Sequence, residues 1–196
     1  MGRKSHHLIM GEMKDYLTGK TIPDTHDQRY LQKLSVLLVE DLGYAKSDIE
    51  SNTEILVHAG GRSGTLNIDF LIHHGDHVMM MIKYAPGSLV TRRLSNVALS
   101  RIIVPYQIPL VVTTNGEDAE VISGTSGKVV GEGLAAIPGV NDPLIRGICE
   151  PLAAISTKLA DQASRIAFAC WIDGSCAVDN AFKCDTWYCY PNTNGE

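Results

Sequence analysis

The chain has 196 residues, 44% of them hydrophobic and 20% charged, with a formal net charge of -5. That describes an ordinary globular chain with a real core, one main domain with an appendage, and it argues against wholesale wrapping of nucleic acid while leaving room for a local basic face. No apolar run reaches the ~18 residues of a membrane span, and the opening MGRKSHHLIMGEMK has too short an apolar core for a signal peptide, so a cytoplasmic protein with no membrane contact is expected. The five cysteines, an odd number without an export signal, read as reduced thiols.

Residues 1–24 are polar and weakly patterned and read as an N-terminal extension. A helix is expected to begin at Thr25, which stands at capping-box spacing from Gln28. Leu31, Leu34, Leu38 and Leu42 recur at helical intervals until Gly43 closes it. Thr53 to Ala59 supplies a strand, and Gly60-Gly61-Arg62-Ser63-Gly64 is a hairpin loop into a second strand, TLNIDFLI. There Leu66, Ile68 and Phe70 alternate with Asn67 and Asp69, which places Asp69 on the opposite side from those three. A turn at His74-Gly75-Asp76 leads to a third strand, His77 to Lys83. Its apolar run of Val78, Met79, Met80, Met81 and Ile82 suggests a strand covered on both faces.

A helix from about Ser88 to Val104, a buried strand from Ile108 to Thr114, and a small hairpin of Glu120–Ser123 with Lys128–Gly131 complete an α/β sandwich with a central mixed sheet over residues 25–139. In the remaining segment, 140–196, Asp142-Pro143 starts one helix and Leu152 to about Ala169 reads as another, before a Cys- and aromatic-rich tail. A helical, Cys-rich appendage is therefore expected.

An aspartate inside one strand and a lysine 14 residues later at the end of its hairpin partner is an arrangement that metal-dependent phosphodiesterases use. Asp69 would bind Mg²⁺, the backbone carbonyl of Ile82 would help hold it, and Lys83 would activate water. A second carboxylate normally stands two residues before the lysine; here that position is Met81, whose thioether is too soft to replace a hard oxygen. From His77 to Gly116 there is no Asp or Glu, so an acid would have to come from Glu54 or Glu40. Glu40 lies opposite the leucine stripe of its helix by helical angle. The plain alternative is a structural hydrogen-bonded Asp69, a strand-end Lys83 and a methionine run that simply packs.

VEDLGYAKSDIE, the segment from Ile55 through GGRSGTLNIDFLI, then MIKYAPGS and IPLVVTTNGEDAEVI, in that order, resemble the N-terminal domain of type I restriction enzyme R subunits, of the PD-(D/E)xK nuclease superfamily. The resemblance covers roughly Asp27 to Gly139. It implies a restriction-endonuclease-like core, Mg²⁺ as cofactor and DNA phosphodiester cleavage by active members. Asp69 then matches the metal-binding aspartate and Lys83 the catalytic lysine, while Met81 marks a missing acid. Many relatives also carry a glutamine on the following helix, near Ala98, where this chain has none. Losing ~3 kcal/mol of electrostatic stabilisation costs more than a hundredfold in rate, so a degenerate domain with a DNA-binding or assembly role is expected ahead of a competent Mg²⁺-dependent endonuclease.

Lys83, Arg92, Arg93 and Arg101 stand in that acid-free stretch; Arg92, Arg93 and Arg101 are candidates for DNA phosphate contacts, or for a solvated helix face. His73, His74 and His77 flank a turn near Asp76, where a transition metal or plain solvent would serve them. Gly124-Thr125-Ser126-Gly127-Lys128-Val129 fails as a phosphate loop, because Ile122 and Val129 occupy positions that need Gly and Ser or Thr. Cys170, Cys176, Cys184 and Cys189 lack a CxxC spacing, and no His follows His77, which disfavours zinc there. The aromatic tail, with Trp171, Phe182, Trp187, Tyr188 and Tyr190, is a candidate dimer contact; a homodimer or other restriction-system subunits are the expected protein partners.

Overall fold

In the computed structural model, residues 8–148, 151–173, 182–185 and 188–191 are described. A six-stranded mixed sheet organises them, in the order β3 (Ile49–Ala59), β4 (Arg62–His74), β5 (His77–Tyr84), β6 (Leu110–Thr114), β7 (Ala119–Ser123) and β8 (Val129–Glu132). Every neighbouring pair is antiparallel except β5 and β6, which helix α2 (Val90–Ser100) joins as a crossover. The apolar run of β5 has the burial expected of a central strand: Val78 to Tyr84 are all buried.

On one face, helix α1 (His26–Val36) and its continuation as a π-helical turn, Leu37–Asp41, set Leu34 and Leu38 against Phe70, Ile72, Met80, Ile82 and Val112. The Thr25 side chain caps α1 by accepting from the Gln28 backbone N–H at 3.2 Å. On the other face, Val97 and Leu99 of α2 pack with Leu71, Met81, Val111 and Ile122. Helix α3 (Pro143–Arg146) is a single turn capped by Asp142. Helix α4 (Thr157–Ala167), continued by the π-helical turn Phe168–Asp173, lies outside α2 and packs Ala163 and Ile166 against Ala98.

Three expectations change. The polar extension before residue 25 contains a hairpin, β1 (Gly11–Lys14) and β2 (Thr21–Asp24). Polar groups tie it down: the Asp15 carboxylate accepts from the Thr18 N–H at 2.7 Å and from Gln32 Nε2 at 2.9 Å, and the Tyr16 N–H donates to Gln32 Oε1 at 2.6 Å. Hydrophobic alternation is no guide to a hairpin held in that way. Second, the expected helical Cys-rich appendage is only partly described: its helix is present as α4, and most of the Cys-rich stretch lies outside the described residues. Helix α4 is packed onto α2, and the described backbone beyond Asp173 is a two-stranded hairpin, β9 (Phe182–Asp185) with β10 (Tyr188–Pro191). Third, β4 does not keep one alternation. Leu66 and Ile68 join the cluster on the α2 side, whereas Phe70 and Ile72 join the α1 side. The change of face falls at Asp69, opposite Asn52, the one described non-glycine residue with a left-handed backbone (φ 54°).

Candidate functional site

The antiparallel register of β4 and β5 pairs Phe70 with Ile82 and Leu71 with Met81, so Asp69 falls across from Lys83. Their side chains meet: Lys83 Nζ donates to Asp69 Oδ2 at 2.8 Å, and the Tyr84 backbone N–H donates to the same oxygen at 2.7 Å. Both side chains are largely withdrawn from water, at 9% exposure for Lys83 and 14% for Asp69. An ion pair with these two charge-assisted hydrogen bonds is firmly held.

The pair lies at one end of a polar row that crosses the sheet. Lys83 is in register with Thr113 on β6, and Thr113 with Glu120 on β7. Helix α2 covers this row with its own polar side chains. Asn96 Nδ2 donates to Thr113 Oγ1 at 2.8 Å, while the Asn96 Oδ1 is buried without a hydrogen-bond partner. Arg93 clasps Glu120 in a two-pronged pair, Nη2 to Oε1 at 2.6 Å and Nε to Oε2 at 3.0 Å. The Glu120 carboxylate beside it raises the Arg93 guanidinium above its ordinary value. On the opposite face Tyr84 stacks on Tyr30 of α1 and donates to Asp27 at 3.1 Å. Burial, and then the Asp27 charge, pushes its phenol up.

Met81 has no exposed surface and sits between Leu71 and Val111 in the apolar cluster under α2. Ile82 is equally buried, paired with Phe70 and Val112 and turned toward the α1 side. Glu54 is exposed, across from Asn67 on the β3–β4 ribbon, and the Glu40 carboxylate is bonded to the Tyr16 hydroxyl. Among the described residues no group of three or more His, Cys, Asp or Glu is placed to hold a metal ion. Mg²⁺ asks for a near-octahedral shell of oxygens. One carboxylate, with Oδ2 already taken by an ammonium and an amide, beside a buried thioether, does not fit it.

The three candidate DNA-contacting arginines all have partners within the chain. Arg93 holds Glu120, Arg101 donates to the carbonyls of Gly124 and Thr125 at 3.0 Å each, and Arg92 lies over the Trp171 ring at 5.0 Å. Among the histidines, His73 Nε2 meets Glu50 at 3.1 Å and His77 packs edge-on against Tyr106. Cys170 is disulfide-bonded, which corrects the reading of all five cysteines as reduced thiols. Cys176 lies outside the described residues, as does Trp187, while Cys184 and Cys189 occupy paired backbone positions on β9 and β10.

Three features escape sequence reasoning. Glu120 and Asn96 enter the row only through the register of β6 and β7 and the angle of α2. Trp171 lies nearly ninety positions beyond Lys83, yet its ring centroid is 4.6 Å from Lys83 Nζ. Only the acid-free stretch hints that the acid for Arg93 must come from a later strand.

A family model described as type I restriction enzyme R protein N terminus (HSDR_N) matches residues 26–138, more than half of the chain. No curated relative and no solved structure matches it. The matched span runs from the first residue of α1 to just past β8 and so contains the whole sheet and the Asp69–Lys83 pair. The chain belongs to the family of type I restriction enzyme R protein N-terminal domains.

Proposed function

We propose that this chain is a degenerate restriction-endonuclease-like domain of a restriction system, which holds DNA or a fellow subunit rather than cutting. The observation that carries this reading is Met81: a fully buried thioether, packed among Leu71, Val111 and Val97, where the PD-(D/E)xK chemistry uses a second acid. The Asp69 carboxylate then serves as the counter-charge that keeps a buried lysine in place, and the pair stiffens the β4–β5 ribbon. No helix of the described residues is long and apolar enough to cross a membrane, so the reading involves none.

The hydrogen-bonded approach of Lys83 to Asp69 favours a second reading, a Mg²⁺-dependent DNA endonuclease. In that case an acid absent from the present arrangement would have to reach Asp69. The experiment incubates supercoiled plasmid with the protein and Mg²⁺ or Mn²⁺, using wild type, Asp69→Ala and Met81→Glu. No cleavage by wild type, with nicking gained only by Met81→Glu, is the expected result. Cleavage by wild type that Asp69→Ala abolishes overturns the degenerate reading.

A further inference from the structure

We propose that the π-helical turn Phe168–Asp173 is an autoinhibitory cap over a nucleic-acid-backbone surface formed by Arg62, Lys83 and Arg92. The turn lies beyond the family-matched span, which ends at residue 138. Three of its side chains, Phe168, Trp171 and Asp173, meet cations of the core. The Trp171 ring lies 4.6 Å from Lys83 Nζ and 5.0 Å from the Arg92 guanidinium carbon. The Phe168 ring lies 4.7 Å from the Arg62 guanidinium carbon, and Asp173 Oδ2 accepts from Arg62 Nη2 at 2.7 Å. Two aromatic faces and one carboxylate thus occupy three cations drawn from β4, β5 and α2. A single strand of nucleic acid offers the same chemistry, stacking rings and an anionic oxygen.

The turn is seated closely. Gly64 on β4 leaves the room it needs: a Cβ there would come within 2.7 Å of Ile172 Cγ2. Two features mark the seat as less settled than ordinary core. The Trp171 indole N–H is buried without an acceptor, and Arg62 keeps 64% of its side chain exposed beside its Asp173 partner. With the turn in place Lys83 has almost no surface to offer a phosphate; lifting it would uncover Arg62 and Arg92 fully and Lys83 beside its Asp69 partner.

The inference rests on the DNA-holding reading above, and its test is separate from the plasmid assay. A fluorescently labelled single-stranded oligonucleotide is titrated with the full chain across a salt series, and anisotropy is read. Wild type is compared with Trp171→Ala, Asp173→Asn, Gly64→Val and the pair Trp171→Ala with Arg92→Ala. Lifting the cap is expected to tighten binding on the order of tenfold at low salt and to steepen the salt dependence by about 0.7 in log–log slope per phosphate newly met. Removing Arg92 should cancel part of that gain. Asp173→Asn changes a surface side chain only, so its result stands even if the two packing variants lose stability. Equal binding by wild type and Asp173→Asn, with an unchanged salt slope, overturns the cap. So does tighter binding of duplex alone, which would give the surface a different occupant. Plasmid cleavage by wild type would defeat the degenerate reading and leave this comparison standing.

Discussion

Removing Asp69 alone should cost more than replacing both partners of the Asp69–Lys83 pair at once. At 2.8 Å and an effective dielectric of about 20, the gross attraction is about 6 kcal/mol, most of it offset by removing two ions from water. Asp69→Ala leaves an ammonium on a buried lysine side chain without its counter-charge, and it also takes the acceptor from the Tyr84 N–H. The expected loss is about 3–5 kcal/mol, a large part of the ~5–15 kcal/mol that holds a domain together. Lys83→Met should cost less, about 2 kcal/mol, because the carboxylate keeps the Tyr84 amide and some water. The double variant Asp69→Leu with Lys83→Met should fall within about 2 kcal/mol of wild type, since it leaves no uncompensated charge. Urea denaturation at neutral pH, followed by far-UV circular dichroism, gives each value from the midpoint and slope. Additive losses, with a coupling energy below about 0.5 kcal/mol, would refute the claim that the two groups form one buried unit.

Glu120→Gln strips the charge from the partner of Arg93 and should destabilise by about 1.5–3 kcal/mol in the same urea assay. Gly124→Ala drives a Cβ to within 1.9 Å of the Ile108 carbonyl oxygen, so a loss of about 3 kcal/mol or more is expected, with lower thermal midpoint and soluble yield. Burial works to raise the Asp15 carboxyl, but hydrogen bonds from Thr18 and Gln32 outweigh it and hold the group below its ordinary value of 3.8. A lowered folded value means this stabilisation is complete above about pH 3.8 and fades as pH falls through the lower folded value. Amide protection factors across β1 and β2, taken relative to intrinsic exchange at each pH, should therefore fall below that pH in wild type, and Asp15→Asn should flatten the response.

Much of the architecture is legible in one dimension because it depends on local periodicity. The Thr25 cap, the leucine stripe of α1, the apolar run of β5 and the proline start at Asp142-Pro143 each encode their element within a few residues. So does the pairing of Asp69 with Lys83, because a short hairpin leaves β4 and β5 few registers to choose from. The β1–β2 hairpin escaped because its turn is closed by Asp15 and anchored by Gln32 from another element.

By itself the amino-acid order determined that an acid and an amine would share a ribbon, that a methionine stands two residues before that amine, and that four cations fall in a stretch without Asp or Glu. What surrounds them was decided only in three dimensions. Glu120 meets Arg93 because β7 pairs with β6, and Trp171 covers Lys83 because α4 packs across α2. Those contacts join residues 27 and 88 positions apart, and pairing over such distances follows from how whole elements pack against each other, which no local pattern of side chains encodes.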